Sequence, residues 1–169
     1  MWNDTEIPLA YLFTFRTYGT WLHGDERGSV DRFHNQYKAP YLSPDRDRLT
    51  HNLELLSHDI VKLDGPQRRV VRSAIRETCR TREWPLCALN VRTNHVHAVI
   101  SIGATGAGRA LNDLKAYATR RMRSKGCWMS ERSPWADKGS KRPLWNLRSV
   151  EIAVDYVLNR QGEALPDFD

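Results

Sequence analysis

Two histidines one residue apart, His95 and His97, open the run His95-Val96-His97-Ala98-Val99-Ile100-Ser101-Ile102. Its β-branched composition predicts a strand, on which alternate side chains share a face. Both imidazoles then point the same way, one pleat apart, while Val96, Ala98 and Ile100 enter a core on the other side. Two adjacent imidazoles hold a divalent cation once a third ligand joins them. Two histidines making ordinary hydrogen bonds would leave the same pattern. A second reactive group, Tyr156, stands near the C-terminus. With Val150 set at 0° and about 100° per helical residue, Ala153, Val154, Val157 and Leu158 gather into one stripe. Tyr156 falls off that stripe, at about 240°. A tyrosine there is either a boundary residue with a wet hydroxyl or a phenol presented to a phosphate. Tyr117 is its rival: it lies nearer His97 in the chain, within a basic helix and about 105° from that helix's apolar centre.

The elements that must position these groups follow from periodicity. Leu9 to Thr20 (LAYLFTFRTYGT) predicts a first strand, with Tyr11, Phe13 and Phe15 on one face and Leu12, Thr14 and Arg16 on the other. A polar segment punctuated by Gly24, Gly28, Pro40 and Pro44 follows; with residues 22–57 it is too long for a plain turn and suggests an inserted functional segment. His58 to Leu63 suggests a short edge strand. Asp64-Gly65-Pro66 opens a helix to about Arg82, with Val70, Val71, Ala74, Ile75, Thr78 and Cys79 on its buried face. Arg68, Arg69, Arg72, Arg76, Arg80 and Arg82 fall mostly on the exposed side. Leu86–Val91 predicts a second strand, joined through the tight connection Arg92-Thr93-Asn94 to the histidine strand. A second helix spans about Ala107 to Lys125, with Leu111, Leu114, Ala118 and Met122 as its stripe. An extended piece around Pro143-Leu144-Trp145 precedes the last helix, capped by Asn146 or Ser149 and stopped near Gly162. The order β, loop, α, β, β, α, β, α suits one α+β domain over 1–169, a ferredoxin-like (split βαβ) sandwich with a central antiparallel sheet.

Composition bounds the function classes. The chain has 169 residues, 40% of them apolar, enough for one core. It has no apolar run long enough to span a bilayer, and Met1-Trp2-Asn3-Asp4 lacks the features of a signal peptide, so a cytoplasmic protein without membrane contact is expected. Three cysteines, an odd number without a CxxC pair, argue against both a disulfide framework and a cysteine zinc site. The net charge of +6 is unevenly spread. Residues 66–92 carry +5 and residues 106–148 carry +8, while residues 1–65 carry −3 and residues 149–169 carry −4. Two basic blocks flanking the neutral histidine segment point to a polyanion, although a solvated cationic surface would show the same balance. Lys115, Arg120, Arg121 and Arg123, with Lys141 and Arg142, could track a phosphate backbone. Trp128, Trp135 and Trp145 could stack on bases, and Arg16 with the segment from Trp21 to Asp25 could read a structured strand.

Asn94-His95-Val96-His97, Leu114-Lys115-Ala116-Tyr117-Ala118-Thr119-Arg120-Arg121, the connection from Gly139 to Asn146 and Tyr156-Val157-Leu158-Asn159-Arg160-Gln161-Gly162 occur in that order. Together with the opening FTFRTYGTWLHGDERGS, this series resembles the IS200-like family of single-tyrosine transposases, including those associated with repetitive extragenic palindromes. The likeness runs from about Pro8 to Gly162, and His95-Val96-His97 resembles the family's HUH motif on a central strand. The resemblance implies a transposase that recognises hairpin DNA, cleaves a single strand beside it, joins the 5′ phosphate to tyrosine and frees a 3′ hydroxyl. It implies that Tyr156 attacks, that His95 and His97 hold Mg²⁺ or Mn²⁺, and that Tyr117 has a structural or DNA-contacting role. Many relatives place Gln or Asn four residues after the tyrosine as the third ligand; here Arg160 stands there, so the resemblance shifts the expectation to Gln161, with Asn159 behind it. A phenol, with an ordinary pKa of about 10, needs such a cation to attack at neutral pH. Relatives work as dimers, many with the tyrosine helix completing the other subunit's site, or as monomers, so a homodimer is one expectation. A bacterial cytosol or nucleoid is the implied location. Two competing readings remain at this level: a domesticated protein that grips structured single strands without cutting, and a metal-dependent phosphodiesterase that forms no covalent intermediate.

Overall fold

The computed structural model describes residues 6–20 and 59–165; the segment expected at 22–57 lies outside them, as do Trp21 to Asp25. The described chain runs β1 (Ala10–Arg16), α1 (Gly65–Thr81), β2 (Leu86–Val91), β3 (His95–Ile100), α2 (Ala107–Ser124), β4 (Ser140–Leu144) and α3 (Leu147–Asn159). The four strands form one antiparallel sheet in the order β2-β3-β1-β4, the split βαβ arrangement expected from the element order. Among the described residues, no helix is long and apolar enough to cross a membrane.

Alternation divides the sheet into two unequal faces. Phe13 and Phe15 of β1 and Val96, Ala98 and Ile100 of β3 are fully buried with Val71, Ala74 and Ile75 of α1 and Leu111, Leu114, Ala118 and Met122 of α2. Each large side chain in that cluster contributes about 1.5–3 kcal/mol by leaving water. The opposite face is thinner: Ala10, Leu12, Ala88, Val99 and Leu144 meet only Ala153 and Val157 of α3, with Val150 and Val154 at the margin. Leu158, expected in this stripe, is instead 52% exposed, because a single helix crossing a sheet buries a narrower band than the wheel allots.

Local chemistry explains the boundaries. Asp64 caps α1 by accepting from Gln67 N, and the Gln67 side chain accepts from Asp64 N, a reciprocal capping box followed by Pro66. Asn146 caps α3 through Ser149 N. Gly139 precedes β4 with φ +156°, and a Cβ there would lie 2.8 Å from the Thr14 carbonyl oxygen, so glycine lets β4 close on β1. Two expectations change. Residues 59–63 form no strand: Val61 N donates to Tyr18 O (3.0 Å) but Leu63 N donates to Thr93 O (2.7 Å), so alternate amides reach different neighbours and no ladder develops. Arg68, expected on the exposed side, is 1% exposed and donates through Nη1 to the Leu63 carbonyl at 2.9 Å, filling the acceptor left by that irregular segment.

The β2–β3 turn matters most for the site. Arg92 N donates to His95 O across Thr93 and Asn94, but neither central residue has the positive φ of the usual two-residue hairpin turns. The turn is held from outside instead. Leu63 N donates to Thr93 O, and Asn94 O accepts from Thr17 N (3.0 Å), Thr17 Oγ1 (3.3 Å) and Thr20 Oγ1 (3.2 Å).

Candidate nucleic-acid cleavage site

Antiparallel pairing sets Thr14 opposite His97 and Arg16 opposite His95, all on the sheet face that α3 covers. The imidazole rings lie edge to face with centroids 4.7 Å apart. His97 Nδ1 is 2.8 Å from Thr14 Oγ1, and His95 Nδ1 is 2.7 Å from Asn94 Oδ1. His97 is buried, and burial first, then the neighbouring His95 and the Arg16 cation, lower its pKa to about 3 against a hydrogen bond with Gln161 that raises it. It is therefore neutral near pH 7, the form that ligates a metal.

The C-terminal end of α3 is tied to the same sheet edge. Asn90 Nδ2 donates to Val157 O at 3.0 Å, filling one of the carbonyls that a helix end leaves open, and Arg92 Nη1 donates to Glu163 O at 2.9 Å. These bonds lay the Tyr156 ring edge-on to His97, centroids 5.3 Å apart, within a single chain. Tyr156 remains 42% exposed. The helix stops at Asn159, and Gly162 turns the chain at φ +84°. Gln161, freed from helical geometry, donates through Nε2 to Tyr156 O (3.0 Å) and brings Oε1 to 3.3 Å from His95 Nε2. Asn159 is not brought to the histidines: its Nδ2 donates to Asp155 Oδ1 at 2.8 Å. Arg160, the cation at the position four after the tyrosine, pairs with Asp155 at 3.2 Å.

Among the described residues no cluster of three or more His, Cys, Asp or Glu side chains could hold a metal; the set here is two imidazoles and a carboxamide. The contacts suit a cation. Gln161 Nε2 faces a carbonyl, so Oε1 is the atom turned to His95. A separation of 3.3 Å is close to the ~3 Å edge made by two ligands about 2.1 Å from one ion. Mixed imidazole and carbonyl donors suit Mn²⁺ or a partly hydrated Mg²⁺.

The other predicted residues divide between the two faces. Tyr117 belongs to α2, on the far side of the sheet from His97, and so is not brought to the histidines. Its phenol is made more acidic by a hydrogen bond from Arg82, and Arg120 lies over its ring at 5.0 Å. Lys115 Nζ donates to Ala136 O (2.9 Å) and to Lys138 O, and Arg121 pairs with Glu77. Arg123 is held on the carbonyls of Ser130 and Glu131. Lys141 and Arg142, on the edge strand β4, are exposed. By alternation Arg142, opposite Leu12, shares the histidine face. Trp135 is core, edge-to-face with Phe15 at 4.9 Å and donating to Thr119 Oγ1, and Trp128 is half-buried; Trp145 is 53% exposed. Thr14, Asn90 and the side chain of Asn94 are site residues that motif reading missed. Asn94 had a sequence signal, adjacency to His95, whereas Thr14 touches His97 from 83 positions away.

Among solved structures, the chain is similar to the REP-associated tyrosine transposase bound to a REP hairpin, with 14% identity and a TM-score of 0.49 over 93% of this chain and 69% of that one. No curated protein matches it. Residues 59–148, which include both histidines and stop short of Tyr156, match the family described as "Transposase IS200 like". By that match across more than half its length, the chain belongs to the IS200-like transposase family.

Proposed function

We propose that this transposase cleaves and rejoins single-stranded DNA beside a hairpin, with Tyr156 as the nucleophile and His95, His97 and Gln161 as the ligands of one Mg²⁺ or Mn²⁺. The observation that carries the reading is the Tyr156 ring lying 5.3 Å from the His97 ring while Gln161, five residues on, reaches His95. One short segment thus delivers both a phenol and a ligand oxygen to the histidine face. In the proposed step Tyr156 Oη loses its proton to solvent and bonds to phosphorus. The bond from phosphorus to the 3′ oxygen breaks, and that oxygen leaves and takes up a proton. The phosphotyrosine bond keeps the energy of the broken diester, so attack by a 3′ hydroxyl rejoins the strand. A bound divalent ion would favour the phenolate and draw charge from the phosphoryl oxygens. The three ligands are uncharged, so negative charge at the centre comes from the substrate phosphate, while Arg16 and Arg142 supply cations on the same face.

The test is incubation with end-labelled hairpin-bearing single-stranded DNA and Mn²⁺, followed by denaturing electrophoresis. The expected product is a denaturation-resistant adduct that Tyr156→Phe reduces below detection and Tyr117→Phe retains. Cleavage without an adduct would move the reading to a phosphodiesterase; binding without cleavage, across both metals, would move it to a grip-only protein.

A further inference from the structure

We infer that Asn94 is a positioning residue that locks His95 in the neutral tautomer whose Nε2 lone pair faces Gln161. The inference rests on the metal-binding part of the reading above. Its first support is the unusual fixation of residue 94. The Asn94 carbonyl accepts from Thr17 N, Thr17 Oγ1 and Thr20 Oγ1, which pins the turn to the end of β1 without a positive φ. From that fixed backbone the side chain sets Oδ1 2.7 Å from His95 Nδ1. Both oxygens facing the ring are carboxamide acceptors, and the contact at Nδ1 is much the shorter, 2.7 Å against 3.3 Å at Nε2, so the single proton of the neutral imidazole sits on Nδ1. Nε2 is then the lone-pair nitrogen.

The second support comes from the other end of the chain. Gln161 Nε2 donates to the main-chain carbonyl of Tyr156, which leaves Oε1 as the atom 3.3 Å from His95 Nε2. Two acceptor atoms, oriented by two independent amide contacts, thus point at one another. With the single ring proton on Nδ1 this 3.3 Å approach has no proton between its two atoms, and a shared cation accounts for it. Asn94 orients one ligand and the nucleophile's own carbonyl orients the other, so cation binding and the placement of Tyr156 are mechanically joined. Thr14 holds no equivalent control over His97, since a hydroxyl both donates and accepts and fits either tautomer.

The test reads the tautomer directly in the metal-free full chain. Long-range ¹⁵N–¹H spectra of the imidazoles at about pH 8, above the ordinary histidine range, should show His95 protonated at Nδ1. Asn94→Asp keeps an acceptor oxygen in the same place and should retain that tautomer; Asn94→Ala should lose it. Mn²⁺ binding followed by electron paramagnetic resonance, without DNA, should weaken about tenfold or more in Asn94→Ala and be kept in Asn94→Asp. Unchanged His97 signals in both variants would show that the sheet is intact. His95 protonated at Nε2 in the parent chain, Asn94→Asp behaving like Asn94→Ala, or an unaltered Mn²⁺ affinity in Asn94→Ala would each overturn the inference. A chain that passes these measurements yet forms no adduct with DNA loses the strand-transfer reading and retains this one.

Discussion

His97 and Cys79 are both withdrawn from water, and desolvation acts on each against its charged form. For His97 that lowers the pKa to about 3 and leaves a neutral ring nitrogen beside the tyrosine. For Cys79, 2% exposed against the sheet, the thiol is pushed up from 9.0 to about 11, and the group is an inert core residue. The sign of its pH effect follows. Below pH 9 folded and unfolded chains both keep the thiol proton and its contribution is intact; between 9 and 11 the unfolded chain releases the proton first, so stability falls with rising pH. Urea unfolding under reducing conditions should show the parent chain losing roughly 2 kcal/mol more than Cys79→Ala between about pH 8.5 and 10.5. Equal losses in the two proteins would place this thiol in contact with water. At this scale the sequence was legible where a period declares itself: the alternation of His95 and His97 put them on one face. It was opaque where a partner arrives from a distant strand, as Thr14 does, or where a side chain is consumed inside the protein, as Lys115 and Arg121 are.

The elements differ in how firmly they are held. α1 and α2 share an extensive core with the sheet, whereas α3 rests on two buried side chains, Ala153 and Val157, and on bonds from Asn90 and Arg92 near its end. The helix that carries Tyr156 is therefore the one with least apolar anchorage, and its docking determines the distance from phenol to imidazole. Val157→Ala should cost roughly 1–3 kcal/mol of that docking. Native-state hydrogen exchange should show the α3 amides opening faster while those of α1 and α2 keep their protection, with adduct formation falling in parallel. Uniform acceleration across all three helices would mean that α3 does not open on its own. Element type was readable for the helices because apolar periodicity and caps agreed, as at Asp64 and Asn146. Residues 59–63 misled because their buried alternation, Val61 and Leu63, reflects two separate tertiary contacts and no strand partner. The redirected Gln161 was foreseeable from Gly162: the helix stops at Asn159, and the glycine's φ of +84° turns the chain just after Gln161.

At the scale of the molecule, the sheet separates charge as well as core. The layer of α1 and α2 bears exposed Arg76, Arg80, Arg109 and Arg120, while α3 and the residues after it bear Glu151, Asp155 and Glu163. Among the described residues, a strongly basic helical face is thus set against a mixed histidine face, where Arg16 and Arg142 share the sheet surface with an α3 that carries carboxylates. A hairpin substrate has two kinds of phosphate, a dense duplex arm and a sparse scissile strand, and they differ in what they need from the protein. On the proposed reading, counterion release makes the grip on the arm scale with the number of cations it meets, which assigns it to the more basic face, while the scissile strand needs few cations but a fixed distance to Tyr156. Binding of hairpin DNA should accordingly fall steeply with NaCl, and Arg76→Ala with Arg120→Ala should flatten that slope by about two phosphate contacts while leaving binding of an unstructured strand nearly unchanged. If the paired substitution instead weakened both DNAs equally, the helical layer would be gripping single strand, and the division of labour between the two faces would have to be reversed.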